Sequence, residues 1–123
     1  MRAMVVDDSR AMRSLLRMIL DDNGIDVVSE AENGQQALER LSSIGSLELV
    51  LLDWNMPIMN GFDVLCAIRK DAKWKNTRVM LVTTETEASQ ILRALDAGAD
   101  EYLIKPFCKE ALRDKLSVMG LIE

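Results

Sequence analysis

The chain reads as an α/β protein, a doubly wound parallel sheet with helices on both faces. Three features carry that reading. Short apolar runs alternate with stretches of helical periodicity, and the alternation repeats five times along 123 residues. The most apolar run, Leu49-Val50-Leu51-Leu52, has no polar alternation and so needs cover on both faces, as strands of a parallel sheet do. The segments between runs are about ten residues or longer, which suits crossover helices rather than hairpin turns.

The elements follow in order. Arg2–Val6 is expected as the first strand. Ser9 then offers an N-cap, and Met12, Leu15, Leu16, Ile19 and Leu20 form one apolar stripe that ends at Gly24. Ile25–Ala31 is the second strand, and Asn33 caps a helix to about Ser43 with Ala37, Leu38 and Leu41 inward. Glu48–Asp53 is the third strand. Asn60-Gly61 opens the next helix, which carries Phe62, Leu65, Cys66 and Ile68. A polar loop over Asp71–Thr77 leads to the fourth strand, Val79–Val82. The helix after it has the pattern of a capping box in Thr84 and Glu87 and stops at Gly98. Glu101–Ile104 is the last strand and Glu110–Met119 the last helix. Met4, Met12, Met18 and Met80 are expected to fill the core.

Composition narrows the function. Hydrophobic content of 49% and charged content of 28% suit one soluble domain over residues 1–123, with no output domain. A formal charge of −5 argues against free nucleic acid as a direct partner, so regulation is expected to pass through protein contacts. No apolar run approaches the roughly 18 residues of a membrane span, and no signal peptide is evident, so a cytoplasmic location is expected. Cys66 and Cys108 are read as two buried thiols in a reducing compartment. The chain has no histidine, which excludes Ser-His-Asp and Cys-His catalysis and assigns any phosphohistidine to a partner. Neither GxGxxG nor a Walker phosphate loop is present.

Chemistry gathers at the strand ends. Asp53 sits at the C-terminal lip of the third strand, where open α/β sheets place their ligands. Asp7 and Asp8 end the first strand, Thr83 and Thr84 the fourth, and Lys105 the fifth. Crowded carboxylates oppose one another's ionisation, and a hard divalent cation relieves that repulsion; magnesium suits a few carboxylates with phosphate and water. Asp53 could then attack phosphorus as an aspartyl nucleophile, with Lys105 and Thr83 supporting the equatorial oxygens of the transferring group. Plainer readings exist for each residue taken singly. Asp7 and Asp8 suit the first turn of a helix, Thr84 suits an N-cap, Asn55 suits a turn before Pro57, Glu85 suits a helix start, and Lys105 could be a surface charge.

Together these residues resemble the receiver domains of two-component response regulators. The motifs are Val6-Asp7-Asp8-Ser9, Asp53-Trp54-Asn55-Met56-Pro57 with Met59-Asn60-Gly61, Val82-Thr83-Thr84-Glu85, and Lys105-Pro106-Phe107, in family order along nearly the whole chain. The likeness is strongest to single-domain members of the CheY type, and the sheet order 2-1-3-4-5 is carried over from that resemblance. It implies that Asp53 accepts the phosphoryl group, Asp8 ligates the metal directly, Asp7 acts through water, and the Asn55 carbonyl completes the protein's share of the shell. The metal would be magnesium, with manganese as a substitute. It implies further that Thr83 and Lys105 hold the phosphoryl group, that Asn55 and Glu85 flank it, that the Lys105–Pro106 peptide is cis, and that Tyr102 moves inward on activation. A plainer reading of Tyr102 is a strand tyrosine whose hydroxyl reaches solvent.

The partners implied are a sensor histidine kinase and a downstream protein, a flagellar motor component or another. A monomer is expected, with dimerisation on phosphorylation left open. Chemotaxis, a phosphate sink and a phosphorelay step are alternative settings for one chemistry. A haloacid-dehalogenase-type phosphatase is a rival, but that class carries Asp-x-Asp where this chain has Asp7-Asp8-Ser9. A module that keeps the acidic site unused is another. Two departures from the commonest pattern stand out: Thr84, whose bulk should alter the lifetime of the phosphorylated form, and Asn60 in place of aspartate.

Overall fold

The computed structural model describes residues 1–123. Its elements alternate strictly: β1 (Arg2–Val6), α1 (Arg10–Asp22), β2 (Asp26–Ala31), α2 (Gly34–Leu41), β3 (Leu49–Leu52), α3 (Gly61–Lys70), β4 (Arg78–Thr83), α4 (Ala88–Asp96), β5 (Glu101–Ile104) and α5 (Lys109–Val118). The five strands are all parallel and run in the order β2-β1-β3-β4-β5. The doubly wound sheet expected from the alternation is what the chain adopts.

Period-two alternation divides the strands between two cores. Met4, Val6, Val50, Leu52, Val79, Leu81 and Tyr102 point to the side where Ala37, Val64, Leu65, Ile68 and Ala94 of α2, α3 and α4 pack. Ala3, Val5, Leu49, Leu51, Met80, Val82 and Leu103 point to the other side, against Leu16, Ile19 and Leu20 of α1 and Leu112 and Leu116 of α5. Every residue of Leu49–Leu52 is buried, as a central strand covered on both faces requires. Each fully buried aliphatic side chain contributes roughly 1.5–3 kcal/mol, so the sheet is held chiefly by these two layers.

Local signals position the helices. The Ser9 hydroxyl accepts from the Met12 N–H, Asn33 Oδ1 from the Gln36 N–H and Asn60 Oδ1 from the Asp63 N–H. Each such cap is worth about 1 kcal/mol. Asn60 therefore does the work an aspartate would do at the start of α3.

Four expectations are corrected. No capping box opens α4 at Thr84: the helix begins at Ala88, with Glu87 as an N-cap that makes no side-chain bond. The intervening polar groups bond one another instead, with the Glu85 N–H donating to Thr83 Oγ1 and the Glu87 N–H to the Glu85 carboxylate. Such local bonds compete with helix formation. The Asp71–Thr77 loop is not simply polar; Ala72–Trp74 forms a 3-10 turn that buries Trp74, and the buried Thr77 hydroxyl donates to the Leu47 carbonyl. Cys108 is exposed at the N-cap of α5 and Cys66 only partly buried, because neither lies on its element's inward stripe. Met18 is 55% exposed on α1, outside the arc of Leu16, Ile19 and Leu20; Met4 and Met80 are core residues and Met12 packs at its margin. No helix is long and apolar enough to cross a membrane.

Candidate functional site

Backbone pairing continues one residue past each strand and so places the polar side chains. The Asp7 N–H donates to the Ala31 carbonyl, the Asp53 N–H to the Val6 carbonyl, and the Lys105 N–H to the Thr83 carbonyl, all at 2.9–3.0 Å. Register Val6↔Leu52 sets Asp7 beside Asp53, and Thr83↔Ile104 sets Lys105 next to Thr83. Residues 98 positions apart in sequence thereby meet at one edge of the sheet.

Carboxylate oxygens of Asp7, Asp8 and Asp53 lie within 4.8 Å of one another. Asp7 and Asp53 are buried, at 1% and 6% exposure, and Asp8 is open to solvent. Lys105 Nζ is 2.7 Å from Asp7 Oδ2 and 3.6 Å from Asp53 Oδ2. One cation therefore faces three anions. Asp53 is pushed above the ordinary carboxylate range, first by burial and then by the charge of Asp7; the Lys105 charge and the Thr83 hydroxyl pull it back, and Asp8 adds a little upward. A cluster of hard oxygens with excess negative charge has the donor chemistry that suits a divalent cation of the magnesium or calcium type.

The backbone around Asp53 is closely packed. The Gly61 N–H donates to the Trp54 carbonyl at 2.8 Å. A Cβ at Gly61 would overlap the Asp53 carbonyl oxygen and lie 2.9 Å from its carbon, so only glycine lets α3 start here. Trp54 is buried and stacks on Phe62 with centroids 5.5 Å apart; the Arg93 guanidinium of α4 lies over the Phe62 ring, 3.9 Å from its centroid. Asn55 is exposed on the loop after Asp53, and Thr84 is exposed after β4.

Thr83 and Tyr102 are joined through Glu85. The Tyr102 hydroxyl donates to the Glu85 carbonyl at 2.7 Å, and the Glu85 N–H donates to Thr83 Oγ1 at 3.3 Å. Tyr102 is 7% exposed, so its ring is inward and its hydroxyl does not end in solvent. Burial, then the charges of Glu85 and Asp53, raise its ionisation to about 12. The Lys105–Pro106 peptide is cis, as the resemblance implies.

Arg13 and Glu30 escaped the sequence reading. Arg13 Nη1 donates to the Asp7 carbonyl at 2.7 Å and its Nε to Glu30 at 3.1 Å, while Arg17 Nε donates to the other Glu30 oxygen at 2.8 Å. The available signal was faint: two arginines four apart on α1, on the flank of the apolar stripe.

Comparison with known proteins agrees with this geometry. Residues 3–117 match the response regulator receiver domain family. The chain is 38% identical over 119 residues to the chemotaxis protein CheY1 of Helicobacter pylori, covering 97% of this chain and 96% of that one. It is 39% identical over 116 residues to the chemotaxis protein CheY of Pseudomonas aeruginosa, covering 94% and 93%. Among solved structures it is similar to the chemotaxis response regulator CheY4 of Vibrio cholerae, with TM-score 0.86, 31% identity and 96% and 97% coverage. It is also similar to a chain of the CheX-CheY-BeF3-Mg complex from Borrelia burgdorferi, with TM-score 0.87, 25% identity and 95% and 87% coverage. Sheet order, the acid cluster at the strand ends and the match along nearly the full length lead to one conclusion: the chain belongs to the response regulator receiver domain family.

Proposed function

We propose that this chain is a phosphorylation-dependent switch of a two-component system. Asp53 takes the phosphoryl group from a phosphohistidine on a partner kinase and later releases it to water. The observation that carries the reading is the convergence of Asp7, Asp8 and Asp53 within 4.8 Å, with Lys105 beside two of them.

In the forward step an Asp53 oxygen attacks phosphorus, an acyl phosphate O–P bond forms, the N–P bond to the donor imidazole breaks, and its electron pair returns to nitrogen. In the second step water attacks phosphorus and gives up a proton, the acyl phosphate O–P bond breaks, inorganic phosphate leaves, and the Asp53 carboxylate is regenerated. Asp8, Asp53 and the Asn55 carbonyl would hold magnesium, or manganese in its place, with Asp7 acting through water. The ion when bound supplies positive charge beside the phosphoryl oxygens. Lys105 sits where it can turn from Asp7 to the new anion, and the Thr83 hydroxyl can donate to a second oxygen. Burial and the charge of Asp7 raise Asp53 above the ordinary range, a repulsion that a bound cation would relieve. Asn55 and Glu85 flank the group, and Thr84 at the rim limits the approach of water.

Output follows from the Thr83–Glu85–Tyr102 linkage. Drawing Thr83 towards the phosphoryl group shifts the loop whose carbonyl holds Tyr102, and so reshapes the surface of α4, β5 and α5. A protein target reads that surface in the cytoplasm. The chemotaxis names of the relatives favour a flagellar motor component or a CheX-type partner among targets.

Intact mass after incubation with acetyl phosphate tests the reading. One phosphoryl group should appear with magnesium, not with EDTA, and not in Asp53→Asn. Labelling of Asp53→Asn to the same extent would overturn it. Many turnovers of a small phosphate ester per molecule would point to a phosphatase instead.

A further inference from the structure

The three acids of the site are not held equally. Asp7 is fixed on every polar atom: its N–H is bonded to Ala31, its Oδ1 accepts from the Ser9 N–H, and its Oδ2 accepts from Lys105. Its carbonyl accepts from Arg13. Asp53 is buried and carried by β3. Asp8 is exposed, and its carboxylate takes part in no hydrogen bond or ion pair within the chain. Whatever aims Asp8 at the site must therefore act through the backbone. The Asp7 carbonyl belongs to the peptide unit from which Asp8 hangs, so a donor that locks this carbonyl fixes the plane of that unit.

We infer that Arg13 is a positioning residue for cation binding, aiming Asp8 through the Asp7–Asp8 peptide and itself aimed by Glu30. The geometry is that of a three-part brace. Arg17 holds one oxygen of Glu30, Glu30 holds Nε of Arg13 with the other, and Arg13 directs Nη1 at the carbonyl. Glu30 lies below the ordinary carboxylate range: burial pushes it up, and the hydrogen bonds and charges of Arg17 and Arg13 outweigh that. Only a planar fork can bond a carboxylate with one nitrogen and a carbonyl with another in fixed relation; a lysine at this position keeps the charge and loses the fork. Outer-shell partners of metal ligands commonly change affinity 10- to 100-fold, and this brace stands in that relation to the acid pair.

The inference rests on the metal reading proposed above, and the two can fail separately. Electrostatics alone gives the opposite sign, because Arg13 is a cation near a cation site and its removal should tighten binding. Calorimetric titration with magnesium chloride distinguishes them, on the parent chain, Arg13→Lys, Arg13→Ala and Glu30→Gln, with a thermal melt of each in EDTA to register folding. Arg13→Lys should bind magnesium about tenfold more weakly than the parent. Glu30→Gln, whose amide oxygen can still accept from Arg13 Nε, should weaken binding by less than Arg13→Lys; a larger loss would mean that the charge of Glu30, and not the aim of Arg13, sets the affinity. Unchanged affinity in Arg13→Lys, or tighter binding in Arg13→Ala, would overturn the positioning role. No magnesium heat from the parent chain would overturn the metal reading itself, and this inference with it.

Discussion

Lys105→Met would remove the cation that Asp7 and Asp53 share while keeping a side chain of similar length. The ammonium lies 2.7 Å from Asp7 Oδ2 and 3.6 Å from Asp53 Oδ2. At an effective dielectric near 20 these separations are worth about 6 and about 5 kcal/mol of attraction. The variant need not lose all of that, because the cluster has a cheaper response. It can bind a proton, and keeping a carboxyl with an ordinary value near 3.9 protonated at pH 7 costs about 4 kcal/mol. That figure caps the loss, and it falls inside the roughly 3–5 kcal/mol range for stripping one partner from a buried pair. The sign follows from proton counting. The folded variant holds a proton that the unfolded chain releases above about pH 4, so its stability falls as pH rises, by about 1.4 kcal/mol per unit. The deficit against the parent should therefore be smallest near pH 4 and grow with pH towards that cap of about 4 kcal/mol. Urea unfolding in EDTA, followed by the fluorescence of the buried Trp54 and Trp74, reads it directly. A deficit below about 1 kcal/mol at pH 7, or one that does not change with pH, would mean that solvent already screens the cluster. The reasoning about Asp53 would then be wrong.

Other consequences are equally direct. Tyr102 is the single tyrosine, so its absorbance titration is unambiguous; ionisation at about 12 predicts little phenolate at pH 10.5 or below, and stability that declines as pH climbs from about 10 through 12. A normal midpoint near 10 would show that the hydroxyl is not kept buried beside Glu85 and Asp53 in solution. Gly61→Ala should cost about 3 kcal/mol in denaturant unfolding, because the added carbon meets backbone of Asp53 that cannot rotate away; a loss under about 1 kcal/mol would contradict the packing. Ile58 is a β-branched residue at φ 72° and 75% exposed, a conformation that costs such side chains roughly 1–2 kcal/mol. Ile58→Asn should therefore raise stability by about 1 kcal/mol, and a fall in melting temperature would refute the strain argument.

What the sequence disclosed, and what it hid, divides along the range of the forces involved. Strand and helix existence rested on periodicity, and the five strands and five helices of the alternation are all present, with only the start of α4 displaced. Asp7, Asp53, Thr83 and Lys105 were legible because a polar residue ending an apolar run must go somewhere polar, and the parallel sheet puts all such ends on one edge. The start of α4 was not legible. Thr84 and Glu87 have the spacing of a capping box, but Thr83 and Glu85 use their side chains to hold two N–H groups outside a helix, and nothing in the spacing ranks one set of bonds above the other. Trp74, Arg69 and Arg13 fail for a different reason. Arg69 donates to the carbonyls of Trp74 and Thr77 in the turn that follows α3, and to the Gly98 carbonyl and Asp100, which only the fold brings near. Buried side chains of loops and forked guanidinium contacts have no periodic signature.

The size of the switch can be bounded from bonds the chain already makes. Moving a population from 1:99 to 99:1 needs about 5.5 kcal/mol of differential stabilisation. The Tyr102–Glu85 bond is present without a phosphoryl group, so its roughly 1 kcal/mol does not count towards the difference. Lys105 would gain a charge-assisted bond to the phosphoryl group, but it must leave Asp7, which it holds at 2.7 Å; that exchange is close to even unless a bound cation takes over Asp7. Thr83 is the remaining donor: its oxygen accepts from the Glu85 N–H at 3.3 Å, and its hydroxyl already favours the Asp53 carboxylate. Redirecting that hydroxyl to a phosphoryl oxygen gains at most roughly 1.5–3 kcal/mol, or about tenfold to a little over a hundredfold in population. The unphosphorylated chain should accordingly hold a measurable fraction in the target-binding form, and Thr83→Ala should abolish most of the response to phosphorylation while leaving that basal fraction in place.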